Sequence, residues 1–461
     1  MDTDRSRWHG RIQPQLWGRL AYLAFWAAAI FLALRWCDQA IPRYLPKDWS
    51  SAHEFDGLVD WKAARLYLAG GSPFSPAGLA ELHVASFGHP PTTPFWFIPL
   101  ARFDKPIAAE LIDLCSWFML VVHLYICASA VKFPAPAALT VLLFSWALTT
   151  EGFVMHWHAI QLSEQIAFPI VVCWAYLRRA KQMPAGLSLG IAATFKLFPG
   201  VLMVFLLFAR RFRAFFAASA VFVCIAAAMT KTFGIECWKL FLMQQGPVSR
   251  EWMGSVRNGS LHGIVLRLFF PICKAESYPT ATTSYVATAI SILLLVLAGL
   301  VARRNVRLAR EQDPRNIDQP YALFTVVAVF VNPWIWEHYW VFMIQPAFVV
   351  GSEFWRLFRA TWAAWLEERV SSSTLAVASI WLLFAGLGLG AVVKLLGTQD
   401  IRTERLRELW FATKSPWAHR QMHMHEIFNW LPWVIMISLC MLCAIVQPRL
   451  ERLRSGGVHT R

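Results

Sequence analysis

The sequence has 461 residues, of which 57% are hydrophobic and only 15% are charged, with a net charge of +15. A soluble chain of this length carries far more charge on the surfaces of its domains. Many apolar runs approach the roughly 20 residues that a helix needs to cross a bilayer, and they lack the alternation of barrel strands. The composition therefore excludes a soluble enzyme and predicts an all-α polytopic membrane protein.

The basic residues lie in short clusters between the apolar runs, which is the pattern of cytoplasmic loops under the positive-inside rule. No basic face with interleaved aromatic residues stands outside those runs, so the sequence argues against nucleic acid as a partner. It also has no phosphate-binding glycine-rich motif, which leaves nucleotide-driven chemistry without support.

The first predicted span covers about residues 17–36 and follows an arginine-rich start, which places the N-terminus in the cytoplasm. The next segment, about 37–91, is then extracytoplasmic, and it is too polar to span and too long for a simple turn. Within it we expect an amphipathic helix that lies at the membrane interface and ends at the Gly-Gly-Ser-Pro turn of residues 70–73.

The chain continues with a proline-flanked apolar piece and three predicted spans, at about 92–103, 106–131, 134–150 and 160–177. Beyond them, one apolar stretch of ordinary spanning length lies between basic clusters at 178–181 and 210–213 and is interrupted by Lys196 and Pro199. Two cytoplasmic ends do not fit a single crossing. The pattern predicts a re-entrant pair of half-helices with Lys196 near its apex, a geometry tolerated where protein or a water-filled cavity covers the irregular backbone.

The second half of the chain is predicted to alternate between spans and loops. Its elements are a span at about 214–230, an extracytoplasmic segment at 231–281, a span at 282–302, apolar runs at 321–331 and 339–352 around the break NPWIWEHYW, a surface segment at 353–369, and spans at 372–396 and 428–447. A basic tail places the C-terminus in the cytoplasm. At about 20 residues per span, we expect roughly 10–12 transmembrane or re-entrant helices. The sequence shows no internal repeat of the kind that builds many secondary transporters.

Two carboxylates, Asp56 and Asp60, lie one helical turn apart in the first extracytoplasmic segment. A carboxylate that is partly buried beside the bilayer can act as a general base toward a hydroxyl. Asp56 can equally cap the interfacial helix, and Asp60 can pair with Lys62 or Arg65. The sequence alone leaves these alternatives open.

Lys196 is a sharper signal, because a lysine inside an apolar stretch costs about 2.5–3.5 kcal/mol on insertion scales. A phosphate group that arrives from the lipid phase is a natural partner, although a lysine can also extend its ammonium to the interface. Arg250, Arg257 and Arg267 in the second extracytoplasmic segment can form bidentate contacts to phosphate. Each alone is typical of an interfacial anchor, and together they favour an anionic ligand.

Glu337 and His338 interrupt an apolar segment at a similar cost. The histidine can exchange a proton near neutral pH, or the two side chains can satisfy the backbone of two broken helices. A late cluster, HRQMHMHE, has histidines spaced as metal ligands but is more typical of an interface. We therefore predict neither a metal nor a cofactor.

In chain order, these segments resemble glycosyltransferase family 87, a family of membrane mannosyl- and arabinosyltransferases in the GT-C superfamily. The stretch FDGLVDWKAARLYLAGGSPF matches the family's first-loop pattern, with Asp56 at its aspartate and Trp61 at one of its aromatics. Further blocks match as His89-Pro90-Pro91, as Lys196-Leu197-Phe198-Pro199, as Asn258-Gly259-Ser260 followed by Arg267, and as PWIWEHY at 333–339.

The match covers about residues 55–350, and the part after about 355 agrees only in hydropathy, so we treat 1–461 as one domain. The sequence departs from the family pattern at His89, where a tyrosine is usual, and at Asp60, where an aromatic is usual. The family's Gly-Gln-x-Asn block is only weakly matched by IQLS at 160–163. These departures concern the donor and the acceptor rather than the fold.

The resemblance implies a GT-C-type bundle that uses a polyprenyl-phosphate sugar donor on the extracytoplasmic face, without a nucleotide, and a glycolipid or glycan acceptor. It implies inversion at the anomeric carbon, with Asp56 as the general base and His338 as a second catalytic group. The residues implied to bind the donor phosphate are Lys196, Arg250, Arg257 and Arg267, and those implied to line the sugar or acceptor pocket are Asp60, Trp61, His89, Asn258 and Glu337.

Two other functional classes stay open on the sequence. A transporter or flippase for lipid-linked sugars also needs charge and broken helices within the membrane. A non-catalytic relative would bind the same lipid-linked sugars without turning them over. In each case we expect an integral, multi-pass protein of the cell (inner) membrane whose partners include membrane lipids.

Overall fold

The computed structural model describes residues 19–20, 22–38, 56–82, 88–150, 160–253, 258–269, 281–308, 317–366 and 431–443. Every regular element in these ranges is helical, which confirms the predicted all-α class. Among the described helices, three are long and apolar enough to cross a membrane: Lys105–Ala130, Phe212–Phe233 and Thr282–Val306. The fold is that of an all-α polytopic membrane protein.

The helices are numbered here in chain order. They are α1 (22–38), α2 (Asp56–Leu68), α3 (Pro76–Leu82), α4 (Lys105–Ala130), α5 (Pro136–Ala147), α6 (Ser163–Arg178), α7 (Gln182–Phe195), α8 (Gly200–Phe208), α9 (Phe212–Phe233), α10 (Glu236–Met253), α11 (Leu261–Phe269), α12 (Ala281–Leu308), α13 (Asp318–Phe330), α14 (Ile344–Leu366) and α15 (Leu431–Cys443). Short 3₁₀ helices cover Thr93–Phe97, Leu100–Arg102 and Glu337–Met343.

Helices α4 and α6 run parallel, with α6 displaced along α4. Near its start, α6 donates a hydrogen bond from Gln165 Nε2 to Ser116 Oγ of α4, at 2.7 Å. At its end, Arg178 Nη1 donates to the carbonyl of Ala130, the last residue of α4. Because Ser116 is about 17 Å along α4 from its first residue, α6 begins deep beside the middle of α4.

The predicted break at Lys196 is present, because α7 ends at Phe195 and α8 begins at Gly200. Helices α7 and α9 pack side by side through small residues, and a Cβ added at Gly190 would lie 2.7 Å from the carbonyl oxygen of Ala218. Gly186 approaches Ala214 in the same way, so the two helices run parallel. Helix α8 must then return to the end of the bundle where α7 starts, as the two basic clusters predicted.

Helix α13 forms the centre of the core, since every one of its residues is buried. The phenol of Tyr321 donates to the carbonyl of Ile170 at 2.7 Å, and the ring of Phe205 meets the ring of Tyr321 edge-on at 5.3 Å. Oδ1 of Asp318 forms an ion pair with Nε of Arg178 at 3.0 Å and accepts a hydrogen bond from Nε1 of Trp174 at 2.9 Å. We call the end of the bundle that holds Arg178 and Asp318 the basic end, and the opposite end, which holds Lys196, the site end.

Two predicted elements differ in the structure. The first half of α2 is buried in the core at Leu58, Trp61 and Ala64 instead of lying at an interface. The cause is the segment that follows, whose 3₁₀ turns pack over α2 and whose Leu100 carbonyl accepts a hydrogen bond from Trp61 Nε1 at 3.0 Å. In addition, the separate surface segment predicted at 353–369 is continuous with α14. The predicted span at 372–396 and the cluster HRQMHMHE lie outside the described residues.

Candidate active site

The start of α2 is held against the turn that leads into α6. Asp56 is the first residue of the helix, and the next residue, Gly57, donates its N–H to the carbonyl oxygen of Ile160 at 3.1 Å. A Cβ added at Gly57 would lie 2.7 Å from that same oxygen. Only glycine permits this approach, and it fixes the backbone of Asp56 beside the turn that leads into α6.

Asp60 pairs with His89. The Oδ2 atom of Asp60 lies 2.7 Å from Nδ1 of His89, and the two side chains are 0% and 11% exposed. A carboxylate taken out of water needs a partner that offsets its desolvation. The structure supplies an imidazole from the loop at 88–92, a partner that the sequence had not suggested.

The same loop ends α7 just before Lys196. Thr92 Oγ1 donates to the carbonyl oxygen of Thr194 at 2.7 Å, and Thr93 Oγ1 donates to that of Phe195 at 2.8 Å. The last carbonyls of a helix have no partner within the helix, and these hydroxyls supply one. The backbone of Lys196 is consequently extended, with φ −144° and ψ 151°.

Lys196 reaches Tyr339 across the site end. Its Nζ donates to the phenolic oxygen of Tyr339 at 3.2 Å and lies 5.5 Å from the centre of the ring. This hydrogen bond and the neighbouring ring hold the ammonium at the site end. An oriented cation next to a break between half-helices is suited to receive an anionic group.

His338 lies next to this contact. Its side chain is buried, and its ring centre lies 5.1 Å from that of Tyr339. Both residues belong to the 3₁₀ helix that begins at Glu337. The structure thereby brings His338 close to Lys196 through Tyr339, a residue that the sequence had not singled out as part of the site.

Asn258 joins two segments of the site end. Its Oδ1 accepts N–H groups from Ser260 and Ile335, both at 3.0 Å, and its Nδ2 donates to the carbonyl of Pro333 at 2.8 Å. Gly259 adds a backbone hydrogen bond to the Ile335 carbonyl at 3.0 Å. These bonds explain why an Asn-x-Ser segment precedes α11 and hold it against the segment that carries Glu337 and His338.

The predicted arginines fall into different places. Arg267 lies in the last turn of α11, and its Nη1 folds back to within 3.0 Å of a Cβ added at Gly263. Arg250 belongs to α10, and Arg257 lies outside the described residues. Of the three, the structure brings Arg267 to the turn held by Asn258. Trp61, predicted for the pocket, lies under the guanidinium carbon of Arg65 at 5.0 Å.

One group in α10 and one in α11 have shifted pKa values. Burial lowers the pKa of His262 in the first turn of α11, which favours the neutral imidazole. Burial also raises the pKa of the Cys237 thiol to about 11, so the thiol stays protonated near neutral pH. Among the residues that the structure describes, His, Cys, Asp and Glu side chains do not gather in groups of three as a metal site needs.

A second histidine–carboxylate pair was missed by the sequence reasoning. His123 of α4 and Glu164 of α6 lie 2.9 Å apart, from Nδ1 to Oε1, with side chains 1% and 2% exposed. Both residues sit inside runs that had been predicted as plain spans. The available signal was the presence of ionisable residues within apolar runs, which are rare there and mark functional sites.

Comparisons with known proteins identify the family of the chain. The model of glycosyltransferase family 87 matches residues 87–333, more than half of the chain. The match includes His89, Lys196, Asn258 and Arg267, whereas Asp56 precedes it. The chain is also similar to the polyprenol-phosphate-mannose-dependent alpha-(1-2)-phosphatidylinositol mannoside mannosyltransferase of Mycobacterium tuberculosis, with 26% identity over 319 residues. The aligned region covers 65% of this chain and 69% of that relative.

Proposed function

The chain belongs to glycosyltransferase family 87 and is a membrane glycosyltransferase, and we propose that it moves a mannose-like hexosyl or a pentosyl unit from a polyprenyl-phosphate donor to an acceptor hydroxyl. The reaction takes place on the extracytoplasmic face of the cell (inner) membrane, with both chain termini in the cytoplasm. The chain acts as a single membrane domain and requires no nucleotide.

The position of Lys196 is the observation that carries this proposal. A lysine in an apolar hairpin is costly, and here it lies at the break between α7 and α8, where its ammonium donates to the phenol of Tyr339 at 3.2 Å. A lipid phosphate that enters the site from the membrane meets this ammonium as an opposite charge. Arg250, Arg257 and Arg267 are assigned to the same phosphate, which they can meet by bidentate hydrogen bonds.

The proposed reaction needs a carboxylate as base and a cation that meets the leaving phosphate. Asp56 takes the proton of the acceptor hydroxyl, and the hydroxyl oxygen attacks the anomeric carbon with inversion. The bond from that carbon to the phosphate oxygen breaks, and the electron pair leaves with the polyprenyl phosphate. Lys196 stabilises the charge that develops on the leaving oxygen, and His338 shapes the sugar pocket beside it.

The mycobacterial relative supports a finer assignment of the two substrates. Its name specifies a polyprenol-phosphate-mannose donor and a phosphatidylinositol mannoside acceptor. On this basis, mannose is preferred over a pentose as the transferred sugar, and a glycolipid is preferred over a polysaccharide as the acceptor. The pocket that holds the transferred sugar and the acceptor is assigned to five residues: Asp60, Trp61, His89, Asn258 and Glu337.

The decisive experiment measures transfer of labelled sugar from synthetic polyprenyl-phosphate donors in membranes that contain the wild type or Asp56→Asn. We expect the variant to lose about 10²–10⁴-fold in turnover, the usual contribution of general acid–base catalysis, while it still binds the donor. Release of free polyprenyl phosphate that depends on acceptor distinguishes transfer from transport of the intact donor. Full activity of Asp56→Asn refutes the base, and donor binding without turnover under any acceptor supports a binding protein instead.

A further inference from the structure

The buried pair His123–Glu164 is connected to the candidate base, Asp56, through the first turn of α6. Its Nδ1–Oε1 distance is 2.9 Å, and both side chains are sealed from solvent. Within the described residues, the remaining polar atoms of the pair, His123 Nε2 and Glu164 Oε2, face no hydrogen-bond partner. A pair buried to this extent does not meet a substrate, so its effect must pass through the backbone that it holds.

That backbone is the first turn of α6. Glu164 is the second residue of the helix, and the next residue, Gln165, is tied to Ser116 of α4 at 2.7 Å. Two consecutive side chains therefore bind the start of α6 to α4. Four residues before Glu164, Ile160 has a φ of +48°, a left-handed conformation that is an outlier for a β-branched residue. Such strain persists only where the surroundings impose it, and it concentrates at functional sites.

The strained turn is in direct contact with the helix that carries the base. The carbonyl oxygen of Ile160 accepts the N–H of Gly57 at 3.1 Å, and the side chain of Ile160 also packs against Gly57, 3.1 Å from a Cβ added there. Asp56 is the residue before Gly57. The contacts therefore run without a gap from the pair, through the first turn of α6 and Ile160, to the backbone of Asp56.

We infer that His123 and Glu164 are positioning residues, which act through the Ile160 turn to fix the start of α2 and with it Asp56. The inference rests on the proposed role of Asp56 as the base. It assigns a function to two ionisable residues that the transfer reaction does not otherwise use. It also explains why a glycine and a strained isoleucine meet at this point.

The other end of α6 supplies a matched control. Arg178 and Asp318 form a second buried ion pair, 3.0 Å from Nε to Oδ1, which also ties α6 to a neighbouring helix. It lies about 21 Å along α6 from Glu164, at the basic end. Asp318→Asn and Glu164→Gln each convert a carboxylate to an amide. One change affects the pair at the end of α6, and the other affects the pair at its start. A purely structural role predicts the same behaviour for both variants.

The first experiment compares the kinetics of these two variants. We expect Glu164→Gln to lower kcat by at least tenfold per folded enzyme while the KM for the donor changes less than threefold, since a displacement of about 1 Å costs up to 10²-fold. Asp318→Asn should lower thermal stability without this loss in kcat. His123→Asn, whose amide nitrogen replaces Nδ1, should retain most of the activity that His123→Leu loses. Losses that only follow the amount of folded protein, equally in Glu164→Gln and Asp318→Asn, overturn the inference.

A second experiment is independent of turnover. Asp56→Cys is introduced into a chain in which three cysteines are replaced by serine: Cys115 and Cys224, which are exposed among the described residues, and Cys273, which lies outside them. The rate at which a thiol reagent labels position 56 is then measured with and without Glu164→Gln. We expect that rate to change at least fivefold with Glu164→Gln and to stay constant with Asp318→Asn. An unchanged rate refutes the positioning role, whereas a changed rate in a protein that transfers no sugar sustains it and refutes only the proposed reaction.

Discussion

The described residues include two histidine–carboxylate pairs, and the two pairs differ in their exposure to solvent. In both, Nδ1 of the imidazole meets a carboxylate oxygen, at 2.7 Å for Asp60–His89 and at 2.9 Å for Glu164–His123. His89 remains 11% exposed, whereas His123 is sealed. The same chemical pair can therefore present an imidazole to a substrate in one place and can only hold backbone in the other.

The two pairs also lead to different parts of the site. The loop that carries His89 continues to Thr92 and Thr93, whose hydroxyls end α7 before Lys196. The pair Glu164–His123 leads through Ile160 to Gly57. The loop of the first pair thus leads to the phosphate side of the proposed reaction, and the second pair leads to the base. Each of the following predictions tests this division.

The largest effect is expected for donor binding. Lys196→Met should weaken binding of a polyprenyl-phosphate sugar by about 10–100-fold, since a charge-assisted hydrogen bond contributes about 1.5–3 kcal/mol. A double-mutant cycle with His89→Ala should show a coupling energy of about 0.5–3 kcal/mol, because the two residues are joined by one loop. The same cycle with His123→Ala should be additive. Equal coupling to both histidines contradicts the division.

Chemical rescue separates the two imidazoles by their accessibility. His89→Ala should lose about tenfold in transfer rate, and added imidazole should restore part of that loss because the site is open to small solutes. His123→Ala should not respond, since an imidazole cannot enter a sealed position between two packed helices. The measurement is the transfer rate of each variant over a series of imidazole concentrations, with methylamine as the control for ionic strength. Rescue of both variants, or of His123→Ala alone, would contradict the difference in accessibility between His89 and His123.

The threonines that end α7 should give a smaller effect. Thr93→Val keeps the side-chain shape and removes one hydrogen bond to the Phe195 carbonyl, which costs about 0.5–1.5 kcal/mol in the free energy of unfolding. Donor affinity should fall a few-fold, because Lys196 follows directly. Thr140→Val is the control, as its hydroxyl bonds within its own helix to Pro136. Thermal unfolding and donor titration of both variants provide the test.

The smallest effect concerns pH. Burial lowers the pKa of His262 in the folded protein below its usual value of 6.5, so the unfolded chain binds this proton more readily. Stability should fall as the pH drops through about 6.5, and His262→Gln should remove that part of the dependence. Thermal midpoints of the two proteins between pH 8 and pH 5 provide the measurement. Parallel curves would show that His262 is not the group responsible.

The break between α7 and α8 was predictable because its causes are local. A lysine and a proline interrupt an apolar stretch, and basic clusters mark both of its ends on the same side. Asp56 and Lys196 were likewise found as isolated charges in unusual surroundings. Their separate locations in the sequence did not reveal the contact between Lys196 and Tyr339, since that contact depends on how α13 and the segment after it pack.

The contact between Asp60 and His89 was not predicted, although both residues had been noted. They are two of the positions at which the sequence departs from the pattern of its family, and they lie together. A pairing across 29 positions depends on how the loop at 88–92 docks on α2, which hydropathy does not encode. For the same reason, α2 was expected at an interface and is instead covered by the 3₁₀ turns that follow that loop. His123 and Glu164 were missed because the apolar residues around them dominated the reading of their spans.

The hairpin of α7 and α8 has a consequence for how the protein enters the membrane. With 14 and nine residues, its arms extend about 21 and 14 Å, and neither reaches across a hydrocarbon core of about 30 Å. Neither arm can be inserted as an independent segment by the translocation machinery. The hairpin is therefore expected to enter as a unit together with α9, whose small residues pack against it.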